Sequence, residues 1–144
     1  MTVSTEPVTG QRSSAGAGRA FSILNGLVLL GVLLQGLWAG EFIGRAAGPD
    51  WLRLHQITAV AVVILALAAA ILALATQRRH RGLVAGSAGL FVLLVIQTGI
   101  GQAISDGGEQ ALVAVHIPLA MLIMGLGVYL SIAAARSRRS SAPG

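Results

Sequence analysis

The 144-residue chain has no cysteine and no lysine, and charge of any kind is scarce at 10% of residues. Without cysteine there can be no disulfides, thiolate metal sites, iron–sulfur clusters or covalent c-type haem attachment. Soluble domains carry about 25% charged residues, so a water-soluble fold of this size could not cover its surface. Aromatic residues amount to 4%, and no basic face interleaved with aromatics exists, which excludes a nucleic-acid partner despite the net charge of +5. No phosphate-cradling glycine motif, catalytic carboxylate pair or nucleophile triad is present. Asp and Glu are missing from the long apolar runs, which argues against a proton relay or an ion-coupled transporter.

What is abundant is apolar. Hydrophobic residues make up 55% of the chain and its mean hydropathy is +0.80. Crossing about 30 Å of hydrocarbon takes about 20 helical residues. Four uncharged runs meet that length: Arg19 to Glu41, Arg53 to Arg78, Arg81 to Asp106 and Glu109 to Arg136. Their Ala, Leu, Gly and Val content suits spanning helices, and no period-2 alternation suggests a barrel. The expected fold is an all-α, integral-membrane, up-down-up-down four-helix bundle. Its helices are placed at about 20–41, 52–76, 83–105 and 110–135, and its short links force neighbours antiparallel. Residues 1–19 are expected to form a disordered tail and residues 136–144 a basic one.

Arginine placement gives the orientation. Arg12, Arg19, Arg78, Arg79, Arg81, Arg136, Arg138 and Arg139 share one side, eight of the ten arginines. By the positive-inside rule both termini are then cytoplasmic, in a bacterial-type inner (plasma) membrane. The lipid bilayer is the first partner implied.

The two helix pairs resemble each other. The first half reads LLQGLWAG, a loop, then WLRLHQITAV; the second reads VIQTGIGQ, a loop, then ALVAVHIPLA. Gln35 matches Gln97, and Gly40 and Gly101 follow them by five and four residues. His55 comes 20 residues after Gln35 and His116 comes 19 after Gln97, each opening an H-x-x-x-A segment closed by Ala59 or Ala120. Two parallel repeats of this kind place any symmetry axis along the membrane normal.

Helices two and four lie diagonally opposite in such a bundle, so two imidazoles at similar depth could hold a flat macrocycle between them. A b-type haem (haem b) needs only such axial ligands, which makes His55 and His116 the candidate metal ligands. The bland alternative is histidines that only hydrogen-bond a neighbouring helix. Gln35 and Gln97 are candidates to bond the imidazole nitrogens or each other, or to act as plain interhelical glue. Arg45 and Arg53 either neutralise haem propionates or pair with Glu41 and Asp50. His80, set among Arg78, Arg79 and Arg81, is expected to be solvated. Gly26, Gly31, Gly36 and Gly40 on helix one, and Gly82 and Gly86 on helix three, are candidates for close packing. Pro118 is expected to kink helix four.

The segments LLQGLWAGEFIGRAAG and IQTGIGQAISDGGEQALVAVHIPLAMLIMGLGVYL resemble the helix–loop–helix segments of haem A synthase. Roughly residues 21–135 look like one four-helix half of that family. The chain is also similar to small uncharacterised four-span bacterial membrane proteins with paired histidines. The resemblance implies that His55 and His116 are the axial pair of one haem b. Haem A synthases have two bundles, four membrane histidines and a Glu-x-x-His-Arg motif. Here Glu41-Phe42-Ile43-Gly44-Arg45 keeps the acid and the arginine, has glycine in place of histidine, and has no second bundle beside it.

Three readings follow. The first is a haem-binding electron carrier or cytochrome-like subunit with a redox partner or membrane complex. The second is a haem-modifying enzyme acting as a homodimer or with a partner. The third is a haem-free accessory protein.

Overall fold

The computed structural model describes residues 9–44 and 49–140, with side chains described from Gly16 onward except at positions 42, 44 and 49. Four helices account for nearly all of it: α1 (Thr9–Gly44), α2 (Pro49–Thr76), α3 (Arg81–Gly107) and α4 (Val113–Ser140). A short 3-10 turn, Gln110–Leu112, leads into α4. No strand occurs among the described residues. In hydrocarbon every backbone N–H and C=O must find a partner within the protein, and a helix meets that demand within one segment. Segments Gly16–Glu41, Asp50–Thr76, Arg81–Gly107 and Gln110–Ser140 are each long and apolar enough to cross a membrane. The result is the architecture of a multi-pass membrane protein.

The helices run further than the charge-bounded runs suggest. Helix α1 starts at Thr9, inside the expected disordered tail, and α4 continues through Arg136 to Ser140. A spanning helix is already nucleated, so adding turns at its end requires no new nucleus. The Ala and Arg residues of the first extension and the Arg residues of the second suit helix. Helix α2 begins at Pro49, since proline fits the first turn, where its missing N–H is not needed. Gly108 ends α3 with a left-handed φ of 72°, its N–H bonding the Ala103 carbonyl, a conformation that favours glycine.

Each helix packs against its chain neighbours and α1 also packs against α4, which closes the ring. Among the described residues neither diagonal pair, α1 with α3 or α2 with α4, packs together. At one end Arg138 donates to the Gly18 carbonyl and the Ser22 hydroxyl, and His80 hydrogen-bonds Ser137. The start of α1, the α2–α3 turn and the end of α4 therefore meet there, bringing Arg19, Arg78, Arg79, Arg81, Arg136, Arg138 and Arg139 to one end. The acidic residues among those described, Glu41, Asp50, Asp106 and Glu109, lie at the other end.

The core is lopsided. Phe21, Val28, Val62, Ala66, Ala69, Ala73, Leu83, Leu90, Leu94, Ile123, Leu130 and Ala134 are buried, together with Asn25 and Ser87. All lie in the arginine-side half. Beyond the level of Gly31, Val62, Leu94 and Ile123, no described residue is fully buried. Three glycines set the close approaches. A Cβ on Gly31 would strike Val62, one on Gly86 would come within 2.7 Å of Leu130, and one on Gly127 within 2.7 Å of Leu29. Gly26, Gly36, Gly40 and Gly82 face open space, so only one member of each expected glycine series makes a helix contact. Asn25 crosses from α1 to α4, donating to the Gly127 carbonyl at 2.8 Å and the Ser131 hydroxyl at 2.7 Å. Outward, Ile23, Leu33, Ile64, Ile71, Met121 and Leu122 are more than half exposed, an apolar surface suited to lipid.

Candidate haem-ligand site

His55 stands six positions after Pro49, and His116 stands six after Gln110, where the second outer helical segment begins. The two histidines therefore enter to matched depth on diagonal helices. Both are half-buried.

Each is tied to the preceding helix in the same way. Gln35 Nε2 donates to the His55 carbonyl at 2.8 Å, and Gln97 Nε2 donates to the His116 carbonyl at 2.8 Å. The internal resemblance read from the sequence thus has a structural counterpart, one hydrogen bond repeated between the same atoms. The glutamines hold the histidine backbone, which fits the interhelical-glue alternative and not a bond to the imidazoles or to each other. Membrane-helix polar residues often act in this interhelical role.

The imidazoles themselves differ. His55 Nδ1 lies 3.2 Å from the Gln35 carbonyl oxygen. That oxygen can only accept, so Nδ1 carries the proton and Nε2 the lone pair in the neutral ring. Metal-bound histidines are commonly fixed in this way, by a backbone carbonyl on the nitrogen away from the metal. Among the described residues the buried His116 Nδ1 has no hydrogen-bond partner, nor does the buried Gln97 Oε1. Two orphaned polar atoms in one half-buried region are unusual in a settled core.

Gly101 lies against this second ring. A Cβ there would be 3.2 Å from His116 Cε1, whereas one on Gly40 would meet nothing within 4 Å. The Gly40–Gly101 match is therefore one of sequence only. Pro118 lies inside α4 and removes the N–H that would otherwise bond the Ala114 carbonyl, loosening the turn that carries His116.

Arg53 is exposed and two positions from His55, about 200° around the helix, so the two do not share a face. Arg45 lies outside the described residues. His80 is exposed, 2.9 Å from Ser137 Oγ, at the arginine-rich end.

Sequence reasoning missed two features. Trp38 and Trp51 stack with ring centroids 5.5 Å apart and planes at 25°. They sit about one turn beyond Gln35 and His55, and the buried Trp38 Nε1 has no partner among the described residues. Their offsets, three after the glutamine and four before the histidine, were the available signal. The second half carries Ile100 and Leu112 at those offsets. The other missed feature was Asn25, a lone amide within an apolar run.

Comparisons with protein-family models, curated proteins and solved structures find no match to this chain. Its function is therefore argued from the site alone.

Proposed function

We propose that the protein is a b-type haem-binding membrane protein in which His55 and His116 are the two axial ligands. The observation that carries this reading is the repeated clamp. Two diagonal helices present a histidine at matched depth, each held by a glutamine of the preceding helix, in the half of the bundle where no described residue is fully buried. The donor set suits haem iron, which takes neutral imidazoles. The proton on His55 Nδ1 leaves the lone pair of the neutral ring on Nε2, and the buried His116 Nδ1 has no hydrogen-bond partner among the described residues.

His55 and His116 would hold the iron, and Gln35 and Gln97 would hold the histidines. With both axial positions filled by the protein, a bound haem supplies one-electron transfer in preference to oxygen chemistry. This favours an electron carrier or cytochrome-like subunit serving a redox partner over a haem-modifying enzyme, which would need a homodimer or larger partner to provide a second haem site. Arg45 lies toward the histidine end in sequence and is a candidate to meet a propionate, whereas Arg53, on the other side of α2 from His55, would have to reach around the helix to do so. The haem-free reading accounts for the glutamine-to-carbonyl bonds as interhelical glue, but gives the buried His116 Nδ1 no role. Seven arginines at the opposite end support a bacterial-type plasma membrane location with both termini cytoplasmic. Purification in detergent from haem-replete cells tests the reading. A reduced-minus-oxidised b-type band is expected, and colourless protein would overturn it.

A further inference from the structure

The arginine-rich end holds a second feature, independent of the haem reading. Between α2 and α3 lies an open groove of about 240 Å³ lined by Leu74, Arg78, Arg81, Val84, Ala85 and Ala88. Its walls are apolar, its floor is kept low by the two alanines, and both arginines stand at its solvent end. Arg78 is anchored by Nε donating to the Leu74 carbonyl at 3.0 Å, which ties its guanidinium to a residue that also lines the groove. Arg81 opens α3 and is exposed. No acidic side chain among the described residues lies at this end, so no described carboxylate neutralises the cluster.

We infer that this groove binds an anionic phospholipid, with the phosphate between Arg78 and Arg81 and an acyl chain along Leu74, Val84, Ala85 and Ala88. Guanidinium groups match phosphate oxygens in charge and fork geometry, and basic pockets between spanning helices are suited to anionic headgroups. The apolar trench beneath the arginines selects a lipid over a free anion, which has nothing to place there. A protein partner would need about 800 Å² of surface on each side, far more than six residues present.

Native mass spectrometry of the full-length protein in detergent tests this. Phosphatidylglycerol, phosphatidylcholine with the same chains, and glycerol phosphate are titrated in parallel. Phosphatidylglycerol should bind more tightly than phosphatidylcholine by roughly thirtyfold, taking roughly fivefold per arginine near an anionic surface. Arg78→Gln with Arg81→Gln should abolish that preference, while Arg136→Gln with Arg139→Gln, the same loss of charge elsewhere on this end, should leave most of it. Ala88→Phe, which fills the trench and keeps both arginines, should weaken both lipids. Equal binding of the two lipids, an equal loss in both arginine pairs, or full competition by glycerol phosphate would overturn the proposal.

Discussion

Gly101→Ala isolates the ligand geometry from the stability of the bundle. The added Cβ would stand 3.2 Å from His116 Cε1, tighter than ordinary contact, so the ring must give by a few tenths of an ångström. Metal–ligand distances tolerate only about ±0.2 Å. Overpacking of this kind costs about 1–3 kcal/mol. In the haem-free protein the ring can tilt clear, whereas a ring fixed on iron cannot, so the strain falls on the bound state. Taking the lower end, haem affinity should fall by roughly five- to tenfold. Alanine also removes the conformational freedom of glycine in a helix, worth up to about 1 kcal/mol in favour of the variant. Thermal stability of the haem-free protein should therefore change little while haem affinity drops. Gly40→Ala is the matched control, since its Cβ meets nothing within 4 Å; it should leave haem binding untouched. Haem titration followed by absorbance, beside unfolding of the haem-free form, reads both quantities. Wild-type affinity in Gly101→Ala, or an equal loss in Gly40→Ala, would refute the reasoning.

Gln35→Ala and Gln97→Ala should each lower haem affinity by about 10–100-fold, the usual cost of removing a group that positions a ligand, as measured in the same titration. Gly31→Ala should destabilise the bundle by about 1–3 kcal/mol because Val62 occupies the space, whereas Gly26→Ala should not, as unfolding in detergent will show. Asn25→Ala should cost about 1 kcal/mol in that assay, through the two bonds to α4, and leave the haem spectrum unchanged.

The four spans and their alternation were legible because arginine and acid bound each apolar run, and because hydrocarbon leaves a lone segment few options besides helix. The histidine pair was legible for a similar reason: a polar ring in an apolar run at repeated spacing stands out. Helix ends were less so. Nothing in the charge pattern marks Thr9 or Ser140 as termini, since helix outside the bilayer depends on propagation from the span. The glutamines were identified but their partner was not, because a side-chain amide reaches ring nitrogen or backbone carbonyl with equal chemistry and only helix register decides. Register also explains the glycines. Gly31 and Gly86 fall on packed faces, while Gly26 and Gly82, one turn or so away, do not. The Trp38–Trp51 stack depends on which faces of α1 and α2 meet, a tertiary fact that neither helix encodes alone.

In the proposed function His55 and His116 ligate one iron. Absorption spectra of His55→Ala, His116→Ala and His80→Ala, purified from haem-replete cells beside the wild-type protein, test it most directly. Each of the first two substitutions alone should abolish the six-coordinate low-spin b-type spectrum, because neither remaining imidazole can fill both axial positions. His80→Ala should keep it, since that ring bonds Ser137 at the opposite end of the bundle. A low-spin spectrum retained in both His55→Ala and His116→Ala would contradict the assignment.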